Sequence, residues 1–462
     1  MNIPAAILAA LPAPCEEVIE THISWVLLCG SYAFKVKKPV RLPFLDYASL
    51  EARRACCEEE LRLNRRYAPE LYLEVVELGN EPAVKMRRFE ASARLDAVLR
   101  RGELTAAPLV AFARELVAFQ EKAAVAPAAS SYGAPEAVLE AALENFVELN
   151  ALRPQQQAAL AALEAWTREE GKRLVPVFAR RQAAGRVREG HGDLHLGNLV
   201  LLEGRIVPFD GIEFNAAFRW IDVANEIAFT LLDLLDHGAA GLAALLLDAW
   251  LERSGDFDSL LVLRFYLVYR ALVRAKVAAL QQRHDECETY LALAERLIAP
   301  QAPSLTITHG LSGSGKTTCA MRRLASADFL TTVRVRSDVE RKRLFGLKPE
   351  EASGGTIYTP AANAATYARL AEVAELALQA GWSIIVDAAF LKRAEREAFL
   401  ALAKRLAVPF AILAPTAPRA ELERRLAARR QDASEADAAI LARQLEWIEP
   451  LGPEEAVFSV PE

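Results

Sequence analysis

Hydrophobic and polar positions follow two different periods near the start of the chain. Between residues 23 and 40, apolar and polar side chains alternate on either side of Gly30-Ser31, which predicts a β-hairpin. Residues 48–68 predict a helix, and residues 72–89 predict two further strands joined by a Gly-Asn turn. The order strand, strand, helix, strand, strand is typical of a small antiparallel lobe.

A change of pattern marks a domain boundary near residue 300. Residues 259–298 carry apolar residues at three- and four-residue spacing and predict two long helices. Two prolines then interrupt the pattern, and a new strand begins at SLTITHG, residues 304–310. We therefore predict two domains, residues 1–300 and residues 301–462.

Composition places the chain among globular proteins. Its 462 residues are 53% hydrophobic and 25% charged, enough to build more than one core. No apolar run reaches the roughly 18 residues that span a bilayer, and no Lys or Arg precedes the short apolar N-terminal stretch, so neither a membrane span nor a signal peptide is expected. The six cysteines show no Cys-x-x-Cys spacing, which favours free thiols in a reducing cytoplasm.

The net charge of −6 is unevenly divided. Residues 301–462 carry 21 Lys and Arg against 20 Asp and Glu, a net charge of +1, which leaves −7 for residues 1–300. Neither part is a strongly basic nucleic-acid binder. The acidic first part favours a cationic small substrate.

The segment HGDLHLGNLVL, residues 191–201, contains a candidate phosphoryl-transfer loop. Phosphoryl transfer requires a carboxylate that orients the acceptor hydroxyl, oxygen ligands for magnesium, and a lysine that holds the ATP phosphates. Asp193 stands five residues before Asn198, the Asp-to-Asn spacing of the protein-kinase catalytic loop.

Further candidate residues occur in the order that a kinase requires. Asp210-Gly211 follows the strand RIVPF, where a kinase has its metal-binding aspartate. Lys35 lies on a strand that reads Ala-Phe-Lys, and Glu60 lies in the next helix, where it can pair with that lysine. Lys37 is on the same strand face, so the sequence leaves the choice between the two lysines open.

HGDLHLGN followed by PFDGIEF resembles the aminoglycoside phosphotransferase and choline kinase branch of the protein-kinase-like fold, over about residues 20–295. Asp222 resembles a buried aspartate of that family, and we expect it to be structural and to brace the catalytic loop. The chain departs from the pattern because it has no glycine-rich loop at Gly30-Ser31. The resemblance implies these roles: catalytic base, Asp193; magnesium ligands, Asn198 and Asp210; ATP-phosphate binding, Lys35 with Glu60.

A zinc site is an alternative for the same loop, because His191, Asp193 and His195 are all competent zinc ligands. Zinc hydrolases generally need further ligands, and His237 and His284 lie in helical stretches with no evident relation to the loop. We favour His191 as a residue that braces the loop by hydrogen bonding. A kinase lobe that binds ATP without transferring phosphate is a second alternative.

A second phosphate-binding motif, GLSGSGKTT, occupies residues 310–318. It follows an apolar strand and leads into a helix, which is the context of a Walker A P-loop. Backbone N–H groups of such a loop surround the phosphates at the helix N-terminus. Lys316 is expected at the β- and γ-phosphates and Thr317 on magnesium. The expected nucleotide-binding residues are Gly310, Ser312, Gly313, Ser314, Gly315, Lys316, Thr317 and Thr318.

Three segments follow the P-loop: a strand that ends at Asp338, a buried strand that ends at Asp387, and an arginine-rich helix and turn at residues 418–437. With the P-loop they resemble small P-loop kinases of the polynucleotide kinase, chloramphenicol phosphotransferase and zeta-toxin group, over about residues 303–450. The resemblance implies these roles: base for the acceptor hydroxyl, Asp338; substrate contact, Arg341; magnesium through water, Asp387; lid residues, Arg425 and Arg429.

Simpler alternatives exist for two of these features. Asp338 at a strand end can serve as a helix cap. An arginine run on a helix is usually a solvated face.

We therefore expect an α+β protein-kinase-like bilobal domain followed by an α/β three-layer P-loop NTPase domain with a parallel sheet. The expected function is a bifunctional phosphotransferase that uses ATP and Mg²⁺. The N-terminal acceptor would be a small hydroxylated molecule, and the C-terminal acceptor a small molecule, a nucleotide or a nucleic-acid end. The alternatives are an ATP-binding regulatory protein with one degenerate site and a zinc hydrolase joined to an ATPase. The sequence identifies neither acceptor, nor any coupling between the sites, nor the oligomeric state.

Overall fold

The computed structural model describes residues 3–42, 45–128, 130–355, 357–428 and 433–460. The chain forms two compact units that interleave along the sequence. The first comprises Met1–Asp233 and Phe265–Leu291, and the second comprises Leu234–Arg264 and Ala292–Glu462. Residues 234–264 thus belong to the second unit, although the sequence pattern changes only at residue 300.

The strands in chain order are β1 Glu17–Glu20, β2 Ser24–Cys29, β3 Tyr32–Lys37, β4 Arg41–Leu42, β5 Leu45–Asp46, β6 Tyr72–Leu78, β7 Glu81–Arg87, β8 Val187–Glu189, β9 Leu199–Leu202, β10 Arg205–Pro208, β11 Trp220–Asp222, β12 Leu305–Thr308, β13 Thr332–Arg336, β14 Ser383–Asp387, β15 Phe410–Leu413 and β16 Ser459–Val460.

The α-helices are α1 Ala5–Ala9, α2 Leu50–Asn64, α3 Leu95–Arg100, α4 Ala106–Lys122, α5 Pro135–Leu152, α6 Gln157–Ala183, α7 Ala216–Arg219, α8 Val223–Asp236, α9 Ala240–Ser254, α10 Leu260–Leu280, α11 His284–Ile298, α12 Lys316–Ala325, α13 Ser337–Leu344, α14 Pro360–Gln379, α15 Arg393–Arg405, α16 Arg419–Ala428, α17 Ala438–Trp447 and α18 Pro453–Ala456. None of the helices in the described residues has both the length and the apolar character needed to cross a bilayer.

An antiparallel sheet in the order β1-β2-β3-β7-β6 forms the N-terminal lobe of the first unit. The hairpin β2–β3 turns at Gly30, whose φ of +54° lies in the left-handed region that favours glycine. Helix α2 begins where Ser49 Oγ accepts a hydrogen bond from the Ala52 N–H. The chain order of β2, β3, α2, β6 and β7 confirms the predicted strand, strand, helix, strand, strand lobe. The edge strand β1 and the short β4–β5 pair before α2 were not predicted.

The rest of the first unit is mostly helical and carries two short antiparallel strand pairs. Strand β8 pairs with β11, and β9 pairs with β10. The catalytic-loop candidate lies between β8 and β9, and the Asp-Gly turn follows β10 closely. An apolar cluster that includes Cys57, Tyr72, Val84, Val200 and Val207 packs the β9–β10 hairpin against α2, β6 and β7. This packing brings residues far apart in sequence to one site.

The second unit contains a parallel sheet in the order β13-β14-β12-β15-β16. In a parallel sheet all strands end at the same edge, so β12 leads to the P-loop beside the ends of β13 and β14. Helix α9 packs directly on α12, and a Cβ atom at Gly241 would overlap the carbonyl oxygen of Ala325. The predicted fold class, a kinase-like α+β part and a P-loop part with a parallel sheet, is confirmed.

Candidate functional site

The catalytic-loop candidate brings Asp193 and Asn198 into contact. The side-chain amide nitrogen of Asn198 donates to the Asp193 backbone oxygen at 3.0 Å and to its Oδ2 at 2.9 Å. The amide nitrogen of Asn198 is thereby committed to the loop, and its amide oxygen is the atom offered to a cation. Asn198 therefore both positions the Asp193 carboxylate and can bind a metal.

His191 braces this loop with both ring nitrogens. Its Nε2 lies 2.9 Å from the Phe209 carbonyl oxygen, and its Nδ1 accepts from the Asp193 N–H at 3.3 Å. Burial lowers the pKa of His191, so the ring stays neutral and Nδ1 can act as an acceptor. Across the described ranges no group of three or more His, Cys, Asp or Glu side chains is arranged to hold a metal ion. These contacts favour the bracing role over the zinc interpretation.

Helix α8 holds the loop through polar side chains that the sequence interpretation missed. A carboxylate oxygen of Glu226 accepts from the His191 N–H, and Asp233 Oδ2 accepts from the Leu196 N–H at 3.0 Å. Thr230 Oγ1 donates to the Leu194 carbonyl oxygen at 2.6 Å. Positions 226, 230 and 233 are polar at i, i+4 and i+7 and so lie on one face of a largely apolar helix, which also carries Asn225 and Asp236. That spacing is the signal that would have found them.

Asp222 does not brace the catalytic loop. Its two carboxylate oxygens accept from Arg181 Nε and Nη2 at 2.7 and 2.8 Å, and its Oδ1 also accepts from the Ala224 N–H. Asp222 is buried and structural, as expected, but the bracing role assigned to it is wrong. Arg181 on α6 bonds to both carboxylate oxygens of Asp222, and the side chains that hold the catalytic loop come from α8 instead.

Glu60 pairs with two lysines of strand β3. Lys35 Nζ lies 2.8 Å from Glu60 Oε1 and also pairs with Asp210, whereas Lys37 Nζ lies 2.5 Å from Glu60 Oε2 and also pairs with Glu213. Burial would lower the pKa of Lys35, but the charges of Asp210 and Glu60 outweigh burial and hold it well above its usual value. Of the two candidate lysines, Lys35 is the one that contacts the proposed metal ligand.

Glu213 was not recognised from the sequence. It is buried, pairs with Lys37, and accepts a hydrogen bond from the Tyr47 hydroxyl at 2.9 Å. It stands three residues after Asp210 in PFDGIEF, and a charged residue in that apolar context is the available signal. Glu213 neutralises the second lysine, so that Glu60 can serve both.

The Asp210-Gly211 turn is clamped by side chains from β6 and α2. Asp210 has a φ of +61°, an unusual value for a residue with a side chain, and its N–H donates to the Tyr72 hydroxyl at 2.8 Å. The Gly211 N–H donates to Asn64 Oδ1, also at 2.8 Å. Desolvation would raise the pKa of Asp210, but Lys35 outweighs it and keeps the carboxylate ionised. The turn therefore presents a fixed, charged carboxylate oxygen.

Asp193 is held in its ionised form. Burial would raise its pKa, but the charge and hydrogen bond of His195, whose Nε2 lies 3.4 Å from Asp193 Oδ2, outweigh burial. The pKa of Asp193 consequently lies well below its usual value. Such a carboxylate orients a hydroxyl rather than removing its proton in advance.

The P-loop opens into a cavity of about 1330 Å³ in the second unit. Gly313 and Gly315 adopt φ values of +85° and +105°, which the curled loop requires and which a side chain would strain. Lys316 begins α12, and its Nζ donates at 2.8 Å to the carbonyl oxygens of Gly310 and Leu311. The cavity is lined by P-loop residues and by four other predicted site residues, Asp338, Arg341, Asp387 and Arg425.

Arg425 contacts the P-loop directly. Its Nη1 donates to the carbonyl oxygens of Gly313 and Ser314 at 3.1 and 3.4 Å, and its Nε donates to Glu421. The neighbouring Arg424 donates to Glu421 and makes no such bond to the loop among the described residues. Arg425 therefore differs from an arginine on a solvated face. Arg429, the other predicted lid residue, lies outside the described residues.

Asp338 lies in the first turn of α13 and faces the cavity. The N-cap position of that helix belongs to Arg336, so the helix-cap alternative for Asp338 does not hold. Burial and then the charge of Asp338 raise the pKa of Tyr358, another lining residue, to about 12. Asp338 and Tyr358 thus lie near each other in the cavity wall.

Arg341 and Asp387 are tied to neighbouring side chains. Arg341 is buried, donates to Asn363 Oδ1 at 3.1 Å, and stacks 5.3 Å from the Tyr358 ring centre. Asp387 is buried at the end of β14 and accepts from Arg334 Nη1 at 3.0 Å, a pairing that was not predicted. Gln444 of α17, also not predicted, accepts from the Ser312 N–H at 2.8 Å.

Residues 305–451 match the model of a family described as an AAA domain. Over nearly the whole chain, the protein is 30% identical to the uncharacterized protein Rv2004c of Mycobacterium tuberculosis, an alignment of 471 residues that covers 96% of this chain and 94% of the relative. An uncharacterized protein of Mycobacterium bovis, Mb2027c, matches to the same extent. The chain belongs to the family of these mycobacterial proteins. The alignment covers 94% of the relative and 96% of this chain, so it includes most of both units.

Solved structures similar to the chain include kinases. The GDP complex of aminoglycoside 2′-phosphotransferase-IIIa is 14% identical with a TM-score of 0.39, covering 63% of this chain and 96% of that one. The choline kinase from Cryptosporidium parvum is 10% identical with a TM-score of 0.43, covering 61% and 88%. The AAA domain match, together with the loop geometry, identifies a nucleotide-binding P-loop domain in the second unit.

Proposed function

We propose that the chain is a bifunctional phosphotransferase, with one site in each unit that passes the γ-phosphate of ATP to a hydroxyl group. The observation that supports the proposal most is the shared cavity of the second unit, in which the P-loop, Asp338, Asp387 and Arg425 line one space. A carboxylate, a phosphate-binding lysine and an oxygen ligand for a cation also occur together in the first unit. Both units therefore contain the set that phosphoryl transfer needs.

In the first unit, Asp193 would accept a hydrogen bond from the acceptor hydroxyl. Its lowered pKa keeps the carboxylate ionised, and the amide of Asn198 fixes its direction. Lys35, held by Glu60, would bind the ATP phosphates. The acceptor proposed here is a small hydroxylated molecule.

In the second unit, backbone N–H groups of the P-loop and Lys316 would surround the phosphates. Asp338 would orient the acceptor hydroxyl, Arg341 would contact the acceptor, and Arg425 would offset the charge that develops during transfer. The acceptor proposed for this site is a small molecule, a nucleotide or a nucleic-acid end.

The residues present fit magnesium as the cofactor of both sites. Asn198 offers an amide oxygen and Asp210 an ionised carboxylate, while Thr317 offers a hydroxyl and Asp387 a buried carboxylate in the cavity wall. When bound, magnesium would supply neutralising charge to the phosphate oxygens.

The test is ATP-dependent phosphorylation of a panel of sugars, amino alcohols, nucleosides and 5′-hydroxyl oligonucleotides. The full-length chain is compared with Asp193→Ala and Lys316→Ala variants. We expect each substitution to abolish phosphorylation of a different set of acceptors. If neither substitution alters any ATP-dependent phosphorylation, the proposal fails.

One observation favours the alternative of a regulatory ATP-binding unit. The hairpin β2–β3 closes at Gly30-Ser31 as a tight turn, without the longer glycine-rich loop that covers the phosphates in protein kinases. The two candidates differ in a full-length Lys316→Ala variant. ATP that binds to this variant without turnover on any acceptor supports the regulatory role, and turnover that Asp193→Ala removes supports transfer.

A further inference from the structure

Arg334 of β13 is the centre of a buried charge cluster in the second unit. Its Nε and Nη2 donate to the two oxygens of Asp248 at 3.0 and 2.8 Å, and Nη2 also donates to Glu252 at 2.9 Å. Its Nη1 donates to Asp387 Oδ2 at 3.0 Å. The side chains of Arg334, Asp248 and Asp387 are 4%, 4% and 3% exposed, so water does not screen these contacts.

The two α9 carboxylates approach the P-loop site from outside the region that matches the AAA domain. Asp248 and Glu252 lie one turn apart on α9, whereas the match covers residues 305–451. The close contact between Gly241 and Ala325 fixes α9 against α12, the helix that begins with Lys316 and Thr317. Helix α9 is therefore anchored to the nucleotide-binding helix as well as to Arg334.

The geometry of a guanidinium makes this arrangement directional. The guanidinium is a planar, rigid fork, so two bonds to Asp248 on one edge determine where Nη1 points on the other. Nη1 points at Asp387, at the end of the strand beside β12 and in the cavity wall. The position of the Asp387 carboxylate is thus set by α9 through Arg334.

The charges lead to the same conclusion. The Arg334 guanidinium is protonated, as arginine is in folded proteins generally. Arg334 and Asp387 alone would form a neutral pair, which attracts a cation weakly. Asp248 and Glu252 bring the cluster to one positive and three negative charges, a net charge of −2. The α9 carboxylates therefore restore negative potential where Asp387 faces the cavity.

We propose that Asp248 and Glu252 are positioning residues of the P-loop site, which orient Asp387 through Arg334 and keep it negative enough to hold a nucleotide-bound divalent cation. The inference rests on the function proposed for the second unit. The inference adds residues of α9 to the P-loop site, although α9 ends about fifty residues before the matched domain begins. No turnover is needed to test it.

The experiment measures Mn²⁺ affinity by electron paramagnetic resonance in the presence of ADP. It uses the full-length chain in an Asp210→Ala background, which removes a proposed metal ligand of the first unit. We expect the double variant Asp248→Asn, Glu252→Gln to bind Mn²⁺ about tenfold more weakly. Its affinity for ADP without metal should be unchanged, because Lys316 and the P-loop are intact.

The matched control is Arg253→Gln. Arg253 lies on the same helix and pairs with Glu350 at 2.9 Å, so the substitution removes an ion pair of α9 without touching Arg334. We expect wild-type Mn²⁺ affinity. A loss equal to that of the double variant would mean that α9 acts only by general packing, and would overturn the proposal.

A third substitution separates charge from packing. Adding Arg334→Met to the double variant removes the positive charge beside Asp387, so Mn²⁺ affinity should partly recover. A purely structural cluster predicts a further loss. Wild-type affinity in the double variant, or a further loss on adding Arg334→Met, overturns the proposal.

If the double variant does not fold, Glu252→Gln alone is the second test. The Glu252 side chain is 19% exposed and makes one bond to Arg334 in the cluster. We expect about threefold weaker Mn²⁺ binding, and unchanged binding would overturn the inference. The two proposals can fail separately. If the wild-type chain phosphorylates no acceptor but the substitutions change Mn²⁺ affinity as expected, the proposed function is wrong and the positioning role of Asp248 and Glu252 is supported.

Discussion

The ammonium nitrogen of Lys35 lies 2.8 Å from Oε1 of Glu60, and the other oxygen of that carboxylate lies 2.5 Å from the ammonium of Lys37. One buried carboxylate therefore holds two lysines of the same strand face. What distinguishes them is the second partner, Asp210 for Lys35 and Glu213 for Lys37. The Lys35–Asp210 pair lies at the proposed metal site, whereas the Lys37–Glu213 pair is buried in the protein interior.

This difference predicts that Lys35→Met mainly affects catalysis, whereas Lys37→Met mainly affects stability. Lys35→Met should raise the KM for ATP and lower kcat of the first unit with a modest effect on stability. Lys37→Met should lower the free energy of unfolding by about 3–5 kcal/mol, because Glu60 and Glu213 lose a buried counter-charge. Steady-state kinetics and urea denaturation measure the two effects.

The control is Lys85→Met on the adjacent strand β7. Lys85 pairs with Glu74 at 2.8 Å, and both side chains reach solvent, so the substitution should cost less than about 1 kcal/mol. If Lys37→Met were as mild as this control, the buried network would not contribute to stability as described.

Asp193→Asn should lower kcat of the first unit by about 10²–10⁴-fold while ATP binding persists. Under the role proposed for Asp193, its lowered pKa should set the acid limb of the wild-type activity profile. The carboxylate is active when ionised, so this group should cause activity to fall only as pH drops below the usual carboxyl range. An acid limb from this group near its ordinary pKa would contradict the effect of His195 on the Asp193 carboxylate.

His191 should make the stability of the first unit depend on pH. Burial lowers its folded pKa from the ordinary 6.5, so below that pH the unfolded chain binds a proton that the folded chain does not. Stability should fall as pH falls through this window, by up to about 1.4 kcal/mol per pH unit. His191→Gln should reduce this slope in urea denaturation between about pH 7 and pH 5. His22→Gln, at an exposed position, should leave the slope unchanged.

Two neighbouring arginines of α16 provide a matched pair. Arg425→Gln removes the bonds to the Gly313 and Ser314 carbonyl oxygens and should lower kcat of the second unit about hundredfold. Arg424→Gln removes bonds to Glu421 and should change kcat less than about threefold. Equal losses in kcat would show that α16 acts by its net charge and not through Arg425.

The sequence predicted those parts of the fold and sites that depend on local patterns. The alternation of apolar and polar residues about Gly30 predicts the hairpin, and the glycines of GLSGSGKTT predict the curled P-loop. The contacts of Glu213, Asp248 and Glu252 were not predicted, because each depends on a partner far away in the chain. Asp222 was misassigned for a related reason. It is followed in α8 by Glu226 and Asp233, and only the packing of the helix decides which of these carboxylates contacts the catalytic loop.

The contact of α9 with Arg334 also affects how the P-loop domain can be transferred to another protein. A gene fusion that joins residues 301–462 to a different partner would carry the P-loop without Asp248 and Glu252. Arg334 would then neutralise Asp387 with nothing to offset it. Any transplant of this nucleotide-binding module should include residues 240–254, or replace Arg334 with an uncharged side chain.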